Sequence, residues 1–131
     1  DHDIAAEALD AVRMTEYRDR QIGQLSGGQQ QRVFMARALA QQSDILLLDE
    51  PFAGVDAATE RAIAGLLAQS KEQGKTVMVV HHDLETAAEF FDRVIIVNRR
   101  LFAYGPPREV MVPELLVEVY GGKLRNLSWN R

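Results

Sequence analysis

The chain contains no cysteine. That excludes a disulfide scaffold and a thiolate metal site, and it fits a reducing compartment. No apolar run approaches the ~20 residues that a membrane-spanning helix needs. Basic residues have no surplus either. Fifteen Lys and Arg face 19 Asp and Glu, for a formal net charge of -4. The nearest thing to a basic cluster is Arg99-Arg100, which suits a solvated hairpin tip. Nothing in this balance favours nucleic acid as a partner. The opening residues, Asp1-His2-Asp3, carry neither an initiator Met nor the basic segment of a signal peptide. They are expected to mark a cut from a longer polypeptide. Internal repeats and low-complexity segments are missing too.

What is there is 131 residues, 47% hydrophobic and 26% charged. That composition reads as a globular domain with a modest core. Ile4, Ala8, Leu9 and Val12 recur at helical spacing. Residues 14–24 are polar and irregular and are expected to form a linker. Ser26 is placed to open a second helix, with Val33, Ala36, Leu39 and Ala40 on its inner face. The continuous run Ile45-Leu46-Leu47-Leu48 predicts a strand covered on both faces. Asp56 suits a helix N-cap, Ile63, Leu66 and Leu67 give that helix its stripe, and Gly74 suits its end. Thr76 to Val80 predicts a second buried strand, followed by a helix marked by Leu84, Ala87, Ala88 and Phe91. Residues 93–97 and 101–104 predict two strands around an Asn98-Arg99-Arg100 turn. Gly105-Pro106-Pro107 breaks the pattern, and a short helix is expected to end at Gly121-Gly122. Strands alternating with helices point to parallel βαβ units and an α/β fold. Such strands present their carboxyl ends at one sheet edge. Groups distant in sequence are therefore expected to converge there.

Four motifs carry chemistry. Ser26-Gly27-Gly28-Gln29 satisfies the capping-box pattern, and most such matches are no more than that. The glycine pair adds something: it leaves backbone N–H groups bare at a helix start, where a phosphate can approach. Asp49-Glu50 closes an apolar strand. Polar strand ends are common, but adjacent carboxylates here can address different groups. His82, ahead of Asp83, follows the second strand, where a lone His is more often structural than catalytic. A metal site from His81, His82 and Asp83 fails because consecutive strand residues point to opposite faces. Asp56 is adequately explained as a cap. Gly74-Lys75-Thr76 imitates the end of a phosphate-binding loop, yet Gln69 stands where that loop needs Gly, and the triplet precedes a strand.

In this order, Leu25-Ser26-Gly27-Gly28-Gln29 followed by Gln31-Arg32, then Asp49-Glu50-Pro51, Asp56 and His82-Asp83, resemble the C-terminal half of an ABC-transporter ATPase subunit. The resemblance runs from about Ala5 to Val110. Asp49-Glu50-Pro51-Phe52-Ala53-Gly54-Val55-Asp56, with His82-Asp83-Leu84 through Phe91 to Leu101, look most like the manganese/zinc/iron importer branch. The resemblance implies a P-loop NTPase-like parallel-sheet core, incomplete, with part of the helical subdomain at the N-terminus. It divides the chain into the end of that subdomain and a linker (1–24), the C-terminal part of the core (25–110), and a final helix and tail (111–131). It makes Asp49 the Walker B aspartate that organises Mg²⁺, and Glu50 and His82 the catalytic glutamate and the switch histidine. His81 is a departure from the family pattern. Ser26, Gly27, Gly28 and Gln29, with Asp56 on the loop between nucleotide sites, would then serve ATP. The implied cofactors are ATP and Mg²⁺. The implied partners are a second ATPase subunit, identical or paired, and integral membrane permease subunits. The implied location is the cytoplasmic face of the cell membrane.

The family's Walker A loop and Q-loop do not occur in the 131 residues. Walker A supplies several charge-assisted hydrogen bonds to phosphate, each worth ~1.5–3 kcal/mol. The chain by itself is therefore expected to be inactive, and its half-covered sheet to favour self-association or marginal stability. The rival readings are a non-transport ABC ATPase in repair or translation, and a non-catalytic interaction module derived from an ATPase half.

Overall fold

A computed structural model of the chain describes residues 2–121. Gly122 and the expected tail after Lys123 lie outside the described residues. The chain divides into two compact units, the first ending at His81 and the second beginning at His82.

The first unit starts with α1 (His2–Ala11), which packs against α2 (Gly27–Ala40). Helix α1 ends on a reversed turn. Arg13 takes φ 58°, its N–H reaches Asp10 O at 2.9 Å, and Met14 N–H reaches Leu9 O at 2.8 Å. These are the two bonds of a Schellman ending, which seats the residue after the left-handed one against the helix. Met14 is accordingly fully buried, at 0% exposure. Residues 14–24 are thus anchored at their first position, and two short 3₁₀ turns, Thr15–Tyr17 and Ile22–Gln24, follow. On α2 the buried positions are Met35 and Ala36, with Val33, Leu39 and Ala40 half-buried beside them.

Strand β1 (Ile45–Asp49) pairs in parallel with β2 (Thr76–Val80), with α3 (Ala57–Glu72) connecting them. Ile63 and Leu67 are the buried stripe of α3. Gly74, at φ 86°, ends the helix as expected: its N–H bonds to Lys71 O, and Lys75 N–H bonds to Ser70 O. Gly74-Lys75-Thr76 is therefore a helix ending that leads into a strand.

The register sets Ile45 against Thr76, Leu47 against Met78 and Asp49 against Val80. All six residues are exposed. Their alternates fare differently: Leu46 is buried, and Leu48, Val77 and Val79 are half-buried. The apolar runs alone implied strands covered on both faces, and this is corrected; the sheet is half-covered, as the incomplete core implied. Helices α2 and α3 contact the pair, and Leu47 on the other face is 71% exposed. A parallel strand reads as continuously apolar because it belongs between two layers. Within the described residues, only one of this sheet's faces is covered.

The second unit is local in sequence. Helix α4 (Leu84–Phe90) is capped by Asp83, whose Oδ1 accepts from Glu85 and Thr86 N–H groups at 2.9 and 3.1 Å. Strands β3 (Val94–Asn98) and β4 (Arg100–Gly105) form an antiparallel hairpin that turns at Arg99, φ 60°. Helices α5 (Pro107–Val110) and α6 (Pro113–Tyr120) each begin with proline, which has no N–H to leave unsatisfied there. Ala87, Ile96, Met111 and Leu116 form a buried cluster among these elements. Among the described residues, no helix is long and apolar enough to cross a membrane.

Candidate functional site

The start of α2 carries the glycine pair. Ser26 is its N-cap, in extended conformation, and accepts from Gln29 N–H at 3.2 Å. The Gln29 side chain returns the bond, accepting from Ser26 N–H at 3.0 Å. The capping box is therefore formed. The two glycines between these residues differ. A Cβ at Gly27 would meet nothing within 4 Å, whereas one at Gly28 would lie 2.9 Å from Gly54 O. Gly28 is thus glycine for close packing against the loop after β1, and Gly27 leaves the helix end open. The first N–H groups of any helix lack an intrahelical acceptor and carry its partial positive charge. Gln30 Nε2 ties the same helix start back to Ile22 O and Leu25 O, at 3.1 and 3.2 Å.

Beside this end lies an open cleft of about 310 Å³. Ser26, Gly28, Gln29 and Asp56 line it, as do Arg32, Gly54, Val55 and Thr59. Four of the residues singled out from sequence therefore share one cavity. Asp56 caps α3, accepting from Thr59 N–H at 2.7 Å. The Thr59 backbone and hydroxyl hold its carboxyl below the usual aspartate range, and the charges of Arg32 and Arg13 act in the same direction. The Arg32 Nε atom is buried, with no hydrogen-bond partner among the described residues.

Asp49 and Glu50 sit at the carboxyl end of β1. Asp49 is exposed at the end of the uncovered face. Glu50 adopts φ 49°, a left-handed conformation unfavourable for a residue with a Cβ. Three hydrogen bonds hold it there. Its N–H donates to Val80 O at 2.9 Å, and its carbonyl accepts from Ala53 N–H at 3.1 Å and from Gln31 Nε2 at 2.7 Å. The third bond comes from α2, so the helix with the glycine pair grips the peptide of the glutamate. Strain kept in place by surrounding bonds is a frequent mark of functional positions.

His81 leaves β2 where Glu50 leaves β1. Its Nδ1 lies 3.9 Å from Glu50 Oε2. Its ring meets Phe52 edge-on, with centroids 5.4 Å apart and planes at 80°. His82 is exposed and opens the second unit, directly ahead of the Asp83 cap. Sequence reasoning put its weight on His82, read His81 as a departure from the family pattern, and took Gln31-Arg32 only as the continuation of the glycine motif. A signal for His81 did exist: two five-residue strands paired end to end leave residues 50 and 81 level. That Gln31 reaches the Glu50 carbonyl had no such signal, because helical periodicity does not reveal which carbonyl a polar side chain will reach.

Among the described residues, no three His, Cys, Asp or Glu side chains cluster tightly enough to hold a metal by themselves. The donors fit Mg²⁺ of another kind: one exposed carboxylate, Asp49, suits an ion that keeps most of its water. The bare start of α2, with its polar cleft, suits phosphate oxygens.

Comparison with known proteins agrees in sequence and in fold. The ABC transporter family matches residues 1–53. The manganese transport system ATP-binding protein MntB of Bacillus subtilis is 59% identical over 128 residues, which are 98% of this chain and 51% of that protein. The zinc transport system ATP-binding protein TroB of Treponema pallidum is 52% identical over 127 residues, covering 97% of this chain and 48% of its own length. A solved ATP-binding cassette of an ABC transporter, in its ADP conformation, superposes with a TM-score of 0.74 at 28% identity, over 92% of this chain and 50% of that one. The chain thus spans about half the length of the curated relatives it matches. It belongs to the ABC transporter ATPase family and corresponds to about half of such a cassette.

Proposed function

We propose that the complete protein hydrolyses ATP with Mg²⁺ and drives the transport of a manganese-, zinc- or iron-type metal ion across a membrane. This chain contributes the hydrolytic carboxylate and the signature helix. One observation carries the reading: Glu50 stands at the level carboxyl ends of two parallel strands and is gripped by Gln31 of the helix whose open N-terminus borders the polar cleft. The proteins named above as manganese and zinc transport ATP-binding proteins favour the metal-ion branch.

In this reading Asp49 orients the water shell of Mg²⁺, which neutralises charge on the transferring phosphoryl group. Glu50 accepts a proton from the attacking water or polarises it. His82 contacts the terminal phosphate. Ser26, Gly27, Gly28 and Gln29 offer N–H and side-chain donors to a nucleotide held by a second subunit, with Asp56 on the loop between the two sites. A solved dimeric ABC transporter cassette, 42% identical over 71% of this chain, favours such pairing. Membrane permease subunits receive the work, which places the protein on the cytoplasmic face of the membrane. The phosphate cradle comes from outside these 131 residues, so the chain alone does not turn ATP over.

Glu50→Gln in the full-length protein tests this. Turnover is lost, and an ATP-bound dimer accumulates in gel filtration. Turnover equal to the unsubstituted protein refutes the proposal. The isolated chain with Mg-ATP shows no more hydrolysis than its own Glu50→Gln control.

A further inference from the structure

The start of α2 is tied to the turn after β1 at two points. Gly28 comes so close to that turn that a Cβ on it would lie 2.9 Å from Gly54 O. Gln31 donates from Nε2 to Glu50 O at 2.7 Å, in a partly buried place. Residues three apart on a helix share a face, so one face of α2 holds both ends of the segment 50–54. Gln30 and the capping box fasten the same helix start to its own lead-in at Ile22, Leu25 and Ser26. Glu50 itself is held against two preferences. At φ 49° its Cβ crowds the backbone, and the proline that follows, Pro51, favours an extended residue before it. The two peptides flanking its Cα set the direction of the Cα–Cβ bond from which the carboxylate extends. One is bonded across the strands, its N–H donating to Val80 O at 2.9 Å. The other accepts through its carbonyl from Ala53 N–H at 3.1 Å and from Gln31. The Ala53 bond lies within the turn and moves with it. Of these three bonds, the one from Gln31 fixes the turn to α2.

We propose that Gln31 is a positioning residue for Glu50: its side-chain amide fixes the Glu50–Pro51 peptide to α2 and so aims the Cα–Cβ bond that carries the hydrolytic carboxylate. A nucleotide seated at the start of α2 then bears on the glutamate of the same chain, because helix start and turn move as one piece. This rests on the reading of Glu50 as the hydrolytic carboxylate and of the start of α2 as a nucleotide seat.

The test uses the full-length protein with Mg-ATP, measuring kcat and KM, with thermal melting to show each variant folded at the assay temperature. Gel filtration follows the ATP-bound dimer in a Glu50→Gln background. Three substitutions separate donation from shape. Gln31→Met matches the length and has no N–H. Gln31→Glu matches the shape and turns an acceptor toward the carbonyl. Gln31→Lys departs from the shape and keeps a donor. In Gln31→Met, kcat falls on the order of tenfold with KM changed by less than about twofold, since a misaimed base weakens the chemical step and not ground-state binding. Gln31→Glu falls at least as far, and Gln31→Lys recovers to within about threefold of the unsubstituted kcat. The ATP-bound dimer still forms when Gln31→Met is added to Glu50→Gln. If Gln31→Glu does not fold, the Met and Lys variants decide. A kcat in Gln31→Met within about twofold of the unsubstituted value overturns the inference. So does a loss in Gln31→Lys equal to that in Gln31→Met, or a dimer that no longer forms. Glu50→Gln with Gln31 intact runs alongside. If it stays active, the hydrolytic reading fails and takes this inference with it. If it is inactive while Gln31→Met is normal, this inference alone fails.

Discussion

The two sheets of this protein are built on opposite principles. The parallel pair β1–β2 joins segments about thirty residues apart in sequence, and one of its faces carries Ile45, Leu47, Met78 and Val80 into solvent. The antiparallel hairpin β3–β4 turns within a residue or two and shares its cluster with helices that directly flank it in the chain. Parallel pairing requires a crossover and two covering layers, whereas a hairpin needs only a turn and one apolar face. Local pairing lets the second unit build its cluster from segments close together in sequence. The first unit places Glu50 and His81 together only because a long-range register holds them. The Glu50 carboxylate therefore sits in the less locally determined half of the structure.

The comparison breaks most readily in the two cores. Ile63 and Leu116 are each 1% exposed, one in each unit. Replacing either with Ala costs ~2–5 kcal/mol. Hydrogen exchange should then rise in the unit that carries the substitution. Equal loss of protection across both units, from either variant, means that one cooperative body spans the chain.

A smaller effect separates the glycines. Gly28→Ala drives a methyl group against Gly54 O and costs ~1–3 kcal/mol, read as a lowered melting temperature. Gly27→Ala meets no atom and changes stability by less than ~1 kcal/mol. In the full-length protein, Gly27→Ala should still lower ATPase turnover if its open side faces a nucleotide. Full activity in Gly27→Ala removes that residue from the site.

The smallest effect is at Asp56. Its folded pKa lies below the unfolded value, so its stabilising contribution is complete above the ordinary aspartate value of 3.8 and is lost as pH falls through the depressed one. Melting temperature should therefore drop with acid below pH 3.8. Asp56→Asn keeps a cap but not the charge facing Arg32 and Arg13, and should flatten part of that drop. An unaltered acid profile in Asp56→Asn shows that the charge contributes nothing.

Much of the fold was legible because local rules decide it. β2 was expected at Thr76–Val80 and lies there, since a β-branched run after a helix-ending glycine has few alternatives. Asp56 and Ser26 cap the helices they precede because a short polar side chain satisfies the first orphan N–H groups. The misreadings were tertiary. Met14 looked like the first residue of a polar linker, and the Arg13 turn buries it completely. Leu47 looked like core and is open, because apolar character states what a strand prefers and not what covers it.

For the site, the order of residues along the chain was enough to single out Ser26, Gly28, Gln29 and Asp56, and the fold gathers all four around one cleft. Their identities carry their chemistry: capping oxygens, a missing Cβ, a carboxylate. The left-handed turn at Glu50, the Gln31 bond that holds it and the imidazole of His81 beside it belong to the three-dimensional arrangement. Amino-acid type limits what a side chain can do within a few residues of itself. Which distant group it meets depends on strand register and on packing between elements, and no single stretch of residues encodes either.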